Sequence, residues 1–219
     1  MVKDKPIAAL FDFDGVTADT ETQYSIFWNA IGKKYHPEIE AFGRTIKGQT
    51  LLQILDRNFS QFREDFPSII ASHDEFEDNM EFTYIAGIVP FFKELRLHGV
   101  KIAIVTSSDK KKMDKACATL TDLKDLSDRI LMAEMFRRSK PAPDCFLLGA
   151  EVFGTVPENC VVFEDSLHGL QAGNAAGMTV VGLSTTFSEE TIKDICDIVI
   201  PDFTNFTYEK MMSLLVNKQ

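Results

Sequence analysis

The sequence predicts an α/β fold: a doubly wound parallel sheet carrying an inserted all-helical domain. Two patterns carry this reading. From about residue 88 onward, apolar runs at about 101–105, 129–132, 160–163, 178–182 and 197–200 alternate with helical stretches. Such alternation means parallel strands joined by helical crossovers. Between Asp19 and Ala86 the alternation stops, and apolar residues recur at helical spacing instead.

The first strand is Ala8-Ala9-Leu10-Phe11, running into Asp12-Phe13-Asp14-Gly15. Side chains alternate along a strand, so Asp12 and Asp14 point the same way and Phe13 turns to the core. Buried unpaired charge is costly. Two carboxylates at a buried strand end make sense where they hold a hard cation and one attacks an electrophile. The plainer alternative is an Asp-Gly turn after an edge strand.

In the insert, Tyr24, Phe27, Trp28 and Ile31 share a helical face, as do Leu51, Leu52, Ile54 and Leu55. The segment from Ser68 to Ile85 continues the pattern with Ile69, Ile70, Phe76, Met80 and Phe82. The expected domains are therefore 1–18 with 87–219 for the sheet core and 19–86 for a helical cap. Crossings near Thr17–Thr20 and Thr83–Gly87 would act as hinges of the cap.

In the core, a helix from Val89 to His98 stops at Gly99, a fitting residue just past a helix end. The strand Val100–Val105 ends in Thr106-Ser107-Ser108, whose hydroxyls and amides can hold phosphate oxygens or simply cap the helix from Asp109 to about Leu120. In Arg138-Ser139-Lys140-Pro141-Ala142-Pro143-Asp144, Lys140 is a point charge on a Pro-stiffened turn. A helix follows from Asp144 to Phe153, ending at Gly154. The strand from Cys160 runs into Glu164-Asp165-Ser166, a second acidic pair that again invites a cation, and a helix then runs to about Gly177. Three of these four motifs lie at C-terminal strand ends, with Lys140 in a loop soon after one. That is where ligands bind in doubly wound sheets.

Composition narrows the function. The chain has 219 residues, a net charge of −10 and 45% hydrophobic residues. An acidic chain lacks the basic face that nucleic acid or an anionic membrane wants. No apolar run approaches the ~20 residues of a membrane span, and no leader pattern precedes the first strand. Cys117, Cys145, Cys160 and Cys196 are scattered without metal-ligand spacing. The expectation is a cytoplasmic monomer with neither nucleic acid nor a membrane as partner.

Taken in order, Asp-x-Asp-Gly, Thr/Ser, Lys and Glu-Asp resemble the haloacid dehalogenase-like (HAD) superfamily. Ser139–Asp144 and Phe163–Ser166 look typical of its β-phosphoglucomutase/phosphatase branch. The resemblance implies a Rossmann-like core, Asp12 as nucleophile and Asp14 as general acid/base. It implies Thr106 and Lys140 as further catalytic groups, and Ser107, Ser108, Lys47 and Gly48 as substrate contacts. The implied cofactor is Mg²⁺, held by Asp12, Asp165, Asp14 (through its backbone carbonyl) and Glu164.

The implied reaction is phosphate-ester hydrolysis through an aspartyl-phosphate. Asp14 argues against dehalogenation, which needs no leaving-group proton. Response-regulator receivers use a similar residue set, but there the acidic pair comes first in the chain. A sugar-phosphate mutase is the alternative, and a protein that only binds Mg²⁺ and phosphate is a third class. Mutases resembling this chain carry a His where Tyr24 stands, after a retained Asp19-Thr20, and a cap Arg shortly after Lys47-Gly48, where Gln49-Thr50-Leu51-Leu52 follows instead. Loss of that clamp favours hydrolysis, with Arg44 or Lys47 as possible replacements.

Overall fold

The computed structural model describes residues 4–47 and 49–217. Six short apolar segments form β1 (Ala8–Phe11), β2 (Lys101–Val105), β3 (Arg129–Leu131), β4 (Cys160–Glu164), β5 (Thr179–Leu183) and β6 (Ile198–Ile200). All neighbours are parallel, in the order β3-β2-β1-β4-β5-β6. The chain winds outward from β1 to β3, crosses back to β4 and winds outward the other way. The order therefore reverses between β1 and β4, whose following strands lie on opposite sides.

Strand alternation builds two different cores. On one face Ala8, Leu10, Ala103, Val105, Val162 and Val180 pack with Phe146, Ala150, Leu170 and Ala172. The other face is aromatic. Phe11 and Phe163 are register partners, and their rings stack with centroids 4.4 Å apart and planes 3° apart. Phe91, Phe92 and Phe203 close on Phe11 at 6.1, 4.7 and 5.9 Å. Offset and edge-on ring pairs of this kind add to the burial of apolar area.

The helices of this part are α5 (Ile88–Leu97), α6 (Lys110–Thr119), α7 (Leu123–Leu126), α8 (Asp144–Val152), α9 (Leu167–Ala175), α10 (Glu189–Ile192) and α11 (Tyr208–Asn217); α1 to α4 lie in the insert below. Gly99, Gly154 and Gly177 follow α5, α8 and α9 with positive φ, as their stop positions require. α11 has no counterpart among the expected elements. Its apolar residues Met211, Met212, Leu214, Leu215 and Val216 are crowded together and mark no single face in the sequence, although Met211 and Leu215, one turn apart, are the fully buried ones.

Residues Thr20–Glu81 form a separate compact unit. It contains α1 (Glu21–Tyr35), α2 (Phe42–Thr45), α3 (Leu51–Asn58) and α4 (Phe66–Asp78). Trp28, Tyr35, Phe42, Ile46, Ile54, Leu55, Phe59 and Ile69 are its core, with Tyr24, Phe27, Ile31 and Leu51 packed against them. Leu52, expected on the apolar face, is 75% exposed, because α3 buries only one side.

Of the expected insert 19–86, Asp19 and residues 82–86 fall in the sheet unit. Helix α4 ends at Asp78. The returning chain bridges Ala18 through Tyr84, the Asp19 amide donates to the Thr83 carbonyl at 2.9 Å, and Phe82 meets the Phe13 ring at 5.9 Å. Pairing with the segment after β1 thus overrides the apolar spacing that suggested helix.

Gly87 begins α5 with φ +80°, and a Cβ there would stand 2.4 Å from the Phe203 carbonyl carbon and the Thr204 nitrogen. Both are backbone atoms and cannot swing away. Gly87→Ala should destabilise the protein by ~2 kcal/mol or more, the sum of left-handed strain and a backbone clash. Urea denaturation measures this, and a loss below ~0.5 kcal/mol would show that the close approach relaxes freely.

Candidate active site

The turn after β1 is held by its own backbone. The Asp12 amide donates to the Phe163 carbonyl at 3.0 Å, so the ladder to β4 continues one residue past β1. The Phe13 carbonyl accepts from the Thr17 and Ala18 amides at 2.9 and 2.8 Å, and Gly15 turns with φ +72°. The Thr17 hydroxyl donates to the Asp12 carbonyl at 2.7 Å. Asp12 is thereby fixed at the point where the strand order reverses.

Asp12 is 8% exposed, and its Oδ1 accepts from Lys140 Nζ at 2.9 Å. The same ammonium donates to Glu164 Oε1 at 2.5 Å and to the Val105 carbonyl at 3.4 Å, so one lysine ties the ends of β1, β2 and β4. The loop carrying it is closed by Arg138, whose Nη2 donates to Asp144 Oδ2 at 2.7 Å. The guanidinium holds the Asp144 carboxyl below the usual carboxylate range.

Burial pushes the Asp12 carboxyl up to about 7; Lys140 opposes the rise, and Glu164 and Asp14 add to it. Burial works against the Lys140 charge, but Asp12 and Glu164 hold that amine well above its ordinary value. Cys145 lies close by, and burial lifts its thiol to about 11, which keeps it protonated and unreactive.

Glu164 is fully buried, and its second oxygen accepts from the Asp165 amide (2.9 Å), the Ser166 amide (2.8 Å) and the Ser166 hydroxyl (3.0 Å). Ser166 also caps α9 by accepting from the Gly169 amide at 3.0 Å. A Cβ on Gly169 would lie 1.8 Å from Glu164 Oε1, so only glycine leaves room for this carboxylate. Asp165, 2% exposed, accepts from the Thr186 hydroxyl on Oδ2.

Asp12, Glu164 and Asp165 each place a ligand oxygen within 4.8 Å of the others. The Asp14 carboxylate is not in this group; it is taken up by other partners. Its Oδ1 accepts from Lys112 Nζ at 2.6 Å and its Oδ2 from the Ser108 hydroxyl at 2.8 Å. Thr106 is fully buried at the end of β2, and its hydroxyl oxygen accepts from the Ser108 amide at 3.0 Å, while Ser107 is exposed. Among the described contacts, four carboxyl groups thus face two ammonium groups, a formal excess of two negative charges. Hard oxygen donors with that excess fit a hard divalent cation.

Two expected substrate contacts lie in the helical unit. Lys47 Nζ donates to Glu21 Oε2 at 2.6 Å, with both side chains largely buried, and Gly48 is outside the described residues. Tyr24, in the place of the mutase histidine, donates its hydroxyl to Glu77 Oε1 at 2.6 Å, and Arg44 is exposed.

Sequence reasoning missed Lys112, Gly169, Thr185 and Thr186. Lys112 reads as one of three solvated lysines in a row. With Asp109 as the cap, however, it is the third helical residue, and helix side chains lean back toward the N-terminus and so toward the strand end. The Thr-Thr pair follows β5 at the same edge of the sheet as the other motifs, which was the available signal.

Residues 9–183 match the family described as haloacid dehalogenase-like hydrolase. Hexitol phosphatase A of Escherichia coli (strain K12) is 27% identical over 206 residues, covering 92% of this chain and 93% of that protein. Protein SUPPRESSOR OF QUENCHING 1, chloroplastic, from Arabidopsis thaliana is 36% identical over 116 residues, which is 53% of this chain and 11% of that protein; the chain spans only a small part of that relative. The crystal structure of β-phosphoglucomutase from Clostridium difficile shares the fold, with a TM-score of 0.78 at 24% identity over 97% of this chain and 98% of that one. With the match running from β1 to the end of β5, the chain belongs to the haloacid dehalogenase-like hydrolase family.

Proposed function

We propose that this protein is a Mg²⁺-dependent phosphatase of a small phosphorylated metabolite, of the sugar-phosphate class, acting through an aspartyl-phosphate on Asp12. The observation that carries the reading is the buried convergence of Asp12, Glu164 and Asp165 beside Lys140. A relative named for hexitol phosphatase activity supports the substrate class.

In this reading an Asp12 oxygen attacks phosphorus, and the bond to the ester oxygen breaks. Asp14 delivers a proton to the departing alkoxide, then takes one from the water that attacks the aspartyl-phosphate, returning Asp12 as carboxylate and releasing inorganic phosphate. Thr106, Ser107 and Ser108 hold phosphoryl oxygens, and Lys140 spreads the charge of the transition state. Asp12 and Asp165 would hold Mg²⁺, with the Asp14 carbonyl. The ion offsets the repulsion between carboxylate and phosphate. Glu164, with both oxygens engaged, serves to place Lys140 and the Asp165 backbone. The family resemblance adds Lys47 and Gly48, expected in the helical insert, as substrate contacts.

Hydrolysis is favoured over sugar-phosphate isomerisation by an observation inside the helical unit. Lys47, the nearest candidate to replace the missing arginine, is already neutralised by Glu21. A second phosphate would have to compete with that carboxylate. No catalytic position of the family pattern is substituted, which speaks against a protein that only binds phosphate.

Asp12→Asn should abolish turnover, and recovery of a tenth of the wild-type rate would end the covalent reading. The same variant should be more stable at high pH, which separates loss of the nucleophile from loss of the fold. Because the Asp12 pKa is raised from 3.8 to about 7, its contribution to stability is full below the ordinary value and is lost as pH rises through about 7. In metal-free urea denaturation, Asp12→Asn should gain on the order of 3 kcal/mol over wild type between pH 4 and pH 8. An unchanged difference would refute the burial of this charge.

Chelation with EDTA should silence the enzyme and Mg²⁺ restore it, with full activity in metal-free buffer contradicting the cation assignment. Against a panel of phosphate esters, hexose and hexitol monophosphates should release inorganic phosphate. Adding glucose 1,6-bisphosphate should not produce interconversion of β-glucose 1-phosphate and glucose 6-phosphate above that background. Isomerisation exceeding hydrolysis by about a hundredfold, ~2.7 kcal/mol in barrier, would make the protein a mutase.

A further inference from the structure

The segment just past β5 carries two threonines that no part of the proposed reaction uses. The ladder between β5 and β6 runs one residue beyond β5, with the Ser184 amide donating to the Ile200 carbonyl at 3.0 Å, and the chain then turns across the C-terminal edge of the sheet. There the Thr185 hydroxyl donates to the Gly15 carbonyl at 2.5 Å, and the Thr186 hydroxyl donates to Asp165 Oδ2. Adjacent residues thus grip the turn after Asp14 and the second acidic motif, the two segments that carry the proposed cation ligands.

These bonds limit how each carboxylate can present itself. Lys140 engages one oxygen of Asp12, Oδ1, and Thr186 engages one oxygen of Asp165, Oδ2. Each bond takes up part of one oxygen's lone-pair capacity and sets the angle of the carboxylate, so a bidentate grip on an ion would have to share an oxygen with a donor already aimed at it. Calcium takes six to eight oxygens and commonly uses carboxylates bidentately, whereas magnesium keeps several waters and uses one or two carboxylates at short distance. Outer partners that orient ligands in this way typically matter by 10–100-fold in metal affinity.

We propose that Thr186 is a positioning residue of the cation site, which by holding Asp165 Oδ2 makes the site select a small divalent cation over a larger one, while Thr185 anchors the same loop to the turn after β1. The inference rests on the proposed use of Asp12 and Asp165 as Mg²⁺ ligands. It extends that use to the ion's size.

The test is calorimetric titration of the full metal-free chain with MgCl₂ and, separately, CaCl₂. It compares wild type, Thr186→Val and Thr186→Ser, with a thermal melt to confirm folding. Thr186→Val should weaken Mg²⁺ about tenfold and leave Ca²⁺ within about threefold, so the preference for Mg²⁺ shrinks about tenfold. Thr186→Ser, which keeps the hydroxyl, should stay within about threefold of wild type for both ions. Thr186→Ala replaces the valine variant if that does not fold. If wild type binds Mg²⁺ and the hydroxyl-less variant keeps the wild-type ratio of the two affinities, the inference is overturned while the proposed function stands. If wild type binds no Mg²⁺, the cation reading falls and this inference with it.

Discussion

The buried ammonium of Lys140 is the interaction on which the rest of this site depends. It lies between Asp12 and Glu164, two carboxylates that the parallel pairing of β1 and β4 brings side by side. Desolvating either carboxylate without a partner charge would be costly. One cation shared between them makes the arrangement tolerable, but it leaves the cluster short of positive charge. The residual deficit is the physical basis for expecting a metal and an anionic substrate at the same place.

A second requirement is rigidity beneath those groups. Phe11 and Phe163 precede Asp12 and Glu164 directly, and their stacked rings sit among Phe91, Phe92 and Phe203. Aromatic rings have few internal rotations and close-packed interiors resist deformation. The acidic residues thus follow directly on a close-packed aromatic cluster. The lysine loop, by contrast, is closed at the surface by the Arg138–Asp144 pair.

Much of this was readable in the chain. Strand periodicity and the expense of buried charge together placed Asp12, Glu164 and Asp165 at C-terminal strand ends, and the glycines at 99, 154 and 177 marked helix ends that are present. The Asp14 side chain, which strand alternation sets on the same side as Asp12, is engaged by Lys112 and Ser108, 98 and 94 residues away. A partner so distant leaves no local trace, since Lys112 looks like any lysine in a charged run. The limits of the helical insert were obscured for the same reason: Phe82 and Ile85 continue an apolar spacing, but a bridge to Ala18 decides their conformation. Hydroxyls such as Thr186 are too common at strand ends to be singled out without knowing what faces them.

Gly169 shows how the backbone itself becomes a mould. Helix α9 accepts an interior residue of poor helical propensity, worth roughly 1 kcal/mol against alanine, so that a carboxylate can lie flush against its main chain. That contact sets the length of the acid as well as the bareness of the helix. An aspartate at position 164 would fall one methylene short of reaching Lys140 on one side and the 165–166 amides on the other. Residues 164 and 169 are therefore a matched pair, and neither is free to drift in evolution while the other stays.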